Sequence, residues 1–161
     1  MTNKHSNDAP VALTIASAAD RPLVRSMLRR YLSELGQYDE VSSDYPYFDL
    51  YWQPGEARWP YLLDAGPARI GFAFVRAPDE PDIDYAIAEF FILPHARGRG
   101  RGIAAARALW RAHPGRWEVS VMRRNAPAHR FWPRAIAAAG AANVACLERY
   151  GDAVFHFDMA R

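Results

Sequence analysis

The chain has 161 residues, half of them hydrophobic, with a single cysteine and a formal net charge of +2. That length suits one domain with a sizeable core, and no apolar run reaches the roughly 18 residues that a membrane-spanning helix needs. The polar start at residues 1–10 is unlike a secretory leader, and the lone Cys146 excludes an intrachain disulfide and any zinc site built on paired cysteines, so a cytoplasmic protein is expected.

Residues 1–10 carry no periodicity and read as a flexible tail, leaving 11–161 as a single domain. A short apolar alternation over 11–15 gives the first strand. Asp20 can cap a helix that tolerates Pro22 in its first turn, and Leu23, Met27, Leu28, Tyr31, Leu32 and Leu35 recur at helical spacing until Gly36 ends it. Segment 37–60 is rich in Tyr, Trp, Asp and Pro and has no clean period beyond a short helix around 47–52. A hairpin follows, with strands at 59–63 and 68–76 around the turn Asp64-Ala65-Gly66-Pro67. The next strand, 83–93, runs straight into an arginine and glycine loop and an alanine-rich helix over 102–112, stopped by Pro114 and Gly115. Residues 117–122 form another strand, and Asn125 and Pro127 open another helix. Pro133 removes a backbone donor inside that helix, which predicts a kink near His129. Strands at 142–147 and 154–159 close the chain, with Cys146 expected as a small buried hydrophobe.

Charge is segregated along this order. Residues 36–90 hold eleven carboxylates against three arginines, whereas 91–134 hold ten arginines against Glu118 alone. Such a chain suits an enzyme that keeps a polyanion on one side and a cation on the other. The polyanion site is the loop Arg97-Gly98-Arg99-Gly100-Arg101-Gly102, because a strand, a tight glycine loop and a helix start together offer free N–H groups and a positive helix end to phosphate. Its spacing does not satisfy G-x-G-x-x-G, and no Gly-Lys-Ser or Gly-Lys-Thr occurs, so neither a dinucleotide fold nor a P-loop is expected. A disordered arginine-glycine tract that binds single-stranded nucleic acid is the rival reading, but this tract is short and clamped between apolar elements. No histidine pair has metal-ligand spacing, so no metal is expected.

The segment from Phe90 to Ile103 resembles the coenzyme A signature of the GNAT (GCN5-related) N-acetyltransferase superfamily, with Arg97, Gly100 and Gly102 at its Arg/Gln, Gly and Gly/Ala positions. Asn125, Ala128, Phe131 and Trp132 are similar to the Asn, Ala, Phe and aromatic positions of the family's following helix. The resemblance implies an α/β (α+β) GNAT fold, a mixed, mostly antiparallel sheet of about six to seven strands flanked by about four helices, with splayed central strands. It implies acetyl transfer from acetyl-CoA to a primary amine of a cationic small molecule, by direct attack in a ternary complex. The implied cofactor contacts are Phe91, Ile92, Leu93, Arg97, Gly98, Arg99, Gly100, Arg101, Gly102, Ile103, Asn125, Phe131 and Trp132. An N–H of Ile92 or Leu93 would polarise the thioester carbonyl, since Pro94 has none to give. Glu89 is the expected base, with Asp84 or an ordered water chain as substitutes. Trp132 stands where many members carry a tyrosine acid, which leaves Tyr85, Tyr150, water or an unaided thiolate departure. The resemblance places the acceptor along segment 37–60, where aromatics among carboxylates suit a cationic guest, with Tyr38, Tyr47 and Trp52 as contacts. A coenzyme A binding domain without catalysis stays open at this point, as do the nucleic-acid module and a homodimer.

Overall fold

The structure, a computed structural model, describes residues 10–161, so the first nine residues of the expected tail lie outside the described residues. Seven strands form one sheet: β1 (Val11–Ile15), β2 (Arg58–Ala65), β3 (Ala68–Arg76), β4 (Tyr85–Ile92), β5 (Gly115–Val121), β6 (Ala142–Arg149) and β7 (Asp152–Met159), in the order β1-β2-β3-β4-β5-β7-β6. Only β4 and β5 run parallel. The parallel pair needs a crossover, and α2 (Arg101–Ala112) supplies it. The other α-helices are α1 (Arg21–Leu35) and α3 (Ala126–Ala138).

Period-two alternation divides the core into two faces. On one, Phe72, Phe74 and Phe91 meet α1 and segment 45–52: the Tyr31 ring lies 6.0 Å from Phe72 and 5.6 Å from Phe91, and Tyr51 stacks on Phe74 at 3.9 Å. On the other, α2 and α3 bring Trp110 to Phe157 at 5.1 Å and Trp132 to Phe90 at 5.1 Å. His113, just past α2, sits among Trp59, Tyr61, Tyr85 and Trp117 and shares a 2.6 Å hydrogen bond with the Tyr61 hydroxyl. Glu118, the lone carboxylate of the basic half, is buried on β5. Burial alone would raise its pKa, but hydrogen bonds from His156 at 2.9 Å and Arg149 at 3.0 Å outweigh that and hold it below the ordinary value.

Several expectations change in three dimensions. Three α-helices are present among the described residues instead of about four, because Phe48–Trp52, set between Pro46 and Pro54, closes only as a short 3-10 turn. Asp20 occupies the position before α1 but makes no cap: its carboxylate turns back to the Ser17 N–H at 2.8 Å. Pro133, the position expected to kink α3, lies inside one helix that continues to Ala138. Its ring faces solvent while Trp132, Ala135 and Ile136 on the opposite side are buried, and their packing holds the helix together. α2 ends at Ala112, just before Pro114 and Gly115 as expected, but Gly115 already opens β5, two residues ahead of the expected start. Cys146 is exposed, because β6 is the edge strand and every residue from Ala142 to Glu148 is open to solvent. No helix of the described residues is long and apolar enough to cross a membrane.

One contact makes a sharp prediction. Gly71 of β3 faces Ile92 of β4, and a Cβ added there would stand 1.9 Å from the Phe91 carbonyl oxygen. The backbones approach so closely that no side chain fits. Gly71→Ala is expected to cost about 2–3 kcal/mol by overpacking, lowering Tm by roughly 5 °C or more in a thermal melt. An unchanged Tm would mean that the two strands are not locked at this distance.

Candidate active site

The site begins where the sheet opens. β4 and β5 pair through Tyr85 with Trp117, Ala86 with Glu118 and Ile87 with Val119, and beyond that point no partners remain although β4 continues to Ile92. The same place carries an irregularity on the other edge of β4. Phe74 pairs with Glu89 and Val75 with Ile87, so Ala88 has no opposite number and forms a bulge. The bulge shifts the alternation by one residue. Tyr85 points toward His113 and α2, whereas Glu89, four residues on, points to the α1 face with Phe91 and Tyr31.

The bulge therefore decides the surroundings of Glu89. Its cross-strand neighbour is Phe74, and Tyr31 and Tyr45 lie close enough to influence its charge. Burial pushes the Glu89 carboxyl up to about 7, against the nearby hydroxyls of Tyr31 and Tyr45, which pull it down. Tyr31 and Tyr45 are themselves raised, first by burial and then by the nearby carboxylate, so both stay protonated. Asp84, the alternative, lies at the paired end of β4, accepts the Arg116 N–H at 2.8 Å and is packed beneath Gly115. It does not reach the gap.

At the open end, the Leu93 N–H donates to the Ile70 carbonyl at 2.7 Å. Alternation then turns the N–H and carbonyl of Ile92 to the other edge of the strand, toward the gap. The Ile92 carbonyl accepts from Arg97 Nε at 2.8 Å, and the other end of that guanidinium meets Glu34 of α1 at 2.9 Å. Arg97 thus braces the loop against β4 and α1.

The loop itself leads into α2. Gly98 and Gly100 have φ of +87° and +70°, and a Cβ on either would meet nothing within 4 Å. No packing inside the chain demands these two glycines; the left-handed turn does, and it leaves open space before the free N–H groups of the helix start. Gly102 is different, since a Cβ there would lie 2.9 Å from the Phe131 ring, so its absence lets α2 and α3 close. The Nε of Arg101, the first residue of α2, is buried without a hydrogen-bond partner. Arg99 is exposed and Ile103 half-buried.

The second motif is positioned with the first. Phe131 stacks on Phe90 at 5.7 Å and bears on Gly102, and Trp132 lies buried behind it. The Asn125 side chain accepts the Ala128 N–H at 3.2 Å, so it caps α3. Neither tyrosine considered as an acid reaches the gap: Tyr85 packs on Trp59, His113 and Trp117, and Tyr150 is fully exposed in the β6–β7 turn. Of the expected acceptor contacts, Trp52 is turned inward, its indole N–H bonded to the Ala16 and Ser17 carbonyls at 3.1 Å. Tyr47 is exposed beneath the Arg58 guanidinium, and Tyr38 lines a hollow beside Arg97. The rings that do reach Glu89 are Tyr31 and Tyr45. Tyr31 reads in sequence as one more apolar helix position, and Tyr45 as one of many aromatics in an irregular segment.

Known proteins agree with this geometry. The model of the acetyltransferase (GNAT) family matches residues 25–136. Among solved structures, an acetyltransferase from Thermus thermophilus superposes with a TM-score of 0.67 at 15% identity, covering 92% of this chain and 95% of that one. AAC(6')-Ib, solved with an aminoglycoside and acetyl-CoA, gives 0.67 at 16% identity, with 93% of each chain covered. Apo FdhC, a nucleotide-linked sugar GNAT, gives 0.66 at 11% identity, covering 94% of this chain and 88% of that one. At such identities the likeness is one of fold, and no curated protein matches by sequence. With the family model spanning more than half of its length and the glycine loop, bulged β4 and opened β4–β5 pair in place, the chain belongs to the GNAT acetyltransferase family.

Proposed function

We propose that the protein transfers acetyl from acetyl-CoA to the primary amine of a small molecule by direct attack in a ternary complex. The observation that carries this reading is the opening between β4 and β5, with the glycine loop at its mouth and Glu89 beside its apex. The residues fit the donor: the space before Gly98 and Gly100, the free N–H groups that start α2 and the orphaned Arg101 Nε make a place for a pyrophosphate. When bound, the donor supplies an activated acyl group as a thioester.

The chain's own part is to position and to move one proton. The Ile92 N–H faces the gap as the donor for the thioester carbonyl oxygen, because the Leu93 N–H is already taken. Glu89 accepts the proton of the incoming ammonium, and a pKa near 7 lets it do so near neutral pH. The faces of Tyr31 and Tyr45 and the carboxylate itself receive that ammonium as a cation. Neither Tyr85 nor Tyr150 reaches the gap, and a thiol pKa of about 8.5 lets the thiolate leave unaided.

The test is release of free thiol from acetyl-CoA across polyamines, aminoglycosides, amino acids and peptides. Thermal stabilisation by acetyl-CoA together with amine-dependent thiol release is expected. Absence of both would sink the reading, and stabilisation without release from any amine would favour a binding domain.

A further inference from the structure

The exposed side of α1 has an unexpected sign. Two hollows lie along α1, one of about 750 Å³ bounded by Arg29, Arg30, Glu34, Tyr38 and Arg97, the other of about 290 Å³ bounded by Arg25, Arg29, Asp44 and Tyr45, so that arginines outnumber carboxylates in both. Arg29 belongs to both, and Tyr45 of the second packs its ring 6.0 Å from Phe74, the cross-strand neighbour of Glu89. The cations of this helix are not equivalent. Arg21 pairs with Asp49, Arg25 lies 4.0 Å from the same carboxylate and over the Phe48 ring, and the Arg97 of the loop is held by Glu34. Arg29 and Arg30 have no ion-pair partner among the described residues, and Asp44, on the same wall as Arg29, makes none with it.

A purely cationic acceptor would meet repulsion here before reaching Glu89. Two exposed guanidinium groups without an ion-pair partner among the described residues, close to the ring that packs beside the proposed base, suit a ligand with an anion at one end and an amine at the other. Resting on the reading of the site as an amine acetyltransferase, we infer that the acceptor is a zwitterionic small molecule. Its carboxylate or phosphate sits on Arg29 with Arg30 alongside, and its amine passes Tyr45 toward Glu89. The charge preference of this enzyme is thus set on the helix, while the chemistry is set on the sheet.

Matched acceptors test this, with thiol release as the readout: lysine against cadaverine, and phosphoethanolamine against ethanolamine. The anionic member of at least one pair is expected to show a kcat/KM about 10- to 100-fold higher, the effect of one charged hydrogen-bonded contact, and the pair that responds identifies carboxylate or phosphate. In Arg29→Ala that ratio collapses toward one through a rise in KM for the anionic acceptor, while KM for acetyl-CoA holds. Equal or better use of cadaverine and ethanolamine would overturn the inference and leave acetyl transfer standing. A rise in KM for acetyl-CoA alone would also overturn it, by assigning Arg29 to the donor's phosphates. If no amine releases thiol, acetyl transfer is what fails, and anion binding is read separately as the shift in Tm of the coenzyme A complex. Nε-acetyl-lysine must then stabilise the protein more than N-acetylcadaverine, and equal shifts would overturn the zwitterion assignment.

Discussion

Glu89→Gln is expected to lower kcat by about 10²- to 10⁴-fold, the usual worth of a positioned general base and the role proposed for Glu89, and to leave stabilisation by acetyl-CoA unchanged. The amide keeps the shape of the side chain and its contacts with Tyr31 and Tyr45 but cannot accept the proton. With the Glu89 carboxyl near 7, the wild-type rate rises with pH up to about 7 and then levels, whereas the residual rate of the variant lacks that step. Stability moves the other way. The folded carboxyl holds a proton that an unfolded one, with an ordinary value of 4.5, has released, so its contribution is complete below 4.5 and lost as pH rises through about 7. Glu89→Gln has no such loss, and at pH 8 it gains on the order of 1–2 kcal/mol over wild type, the full shift being reduced by water at the open edge. Rate profiles and melts of the two proteins, taken between pH of about 5 and 9, check both signs. A wild-type rate flat across this range, or an E89Q variant within a few-fold of wild type, would remove Glu89 from the chemistry.

The second large effect belongs to the loop. Wild type at roughly 100 times the Kd of acetyl-CoA is expected to gain about 2.7 kcal/mol, several degrees in Tm. Gly100→Val removes most of that gain. Valine in a left-handed turn with φ of +70° costs about 1–2 kcal/mol, and its branches fill the space in front of the first N–H groups of α2. Gly100→Ala, which keeps most of that space open, falls between. Circular dichroism should still show α2 and α3 in both, because neither side chain meets another atom of the protein within reach of its Cβ. A valine variant that retains the full shift would place the pyrophosphate elsewhere.

The two effects draw on different devices. Gly98 and Gly100 leave room for a ligand, Gly102 leaves room for Phe131, and Arg97 braces the loop through the Ile92 carbonyl and Glu34. Arg97 therefore holds the loop in place, with its side chain engaged within the protein.

The elements and the loop are written in the chain itself. Helical spacing of Met27, Leu28 and Leu32, the Gly66-Pro67 turn and the apolar end of β4 are local signals, and local signals place elements in order. Gly98, Gly100 and Gly102 between a strand and a helix are legible for the same reason. Which way the chemistry faces is settled only by folding. The bulge at Ala88 is a matter of register between β3 and β4, invisible along one strand, and it is what turns Glu89 to the α1 face and away from Tyr85. Tyr31 and Tyr45 meet that carboxylate from separate elements, and Trp52 is drawn inward by carbonyls far away in sequence. Cys146 reads as buried because its strand is apolar, yet an edge strand with no helix over it stays open. Partners distant in the chain set the register, the face and the burial of each functional group, and those partners come together only in the folded protein.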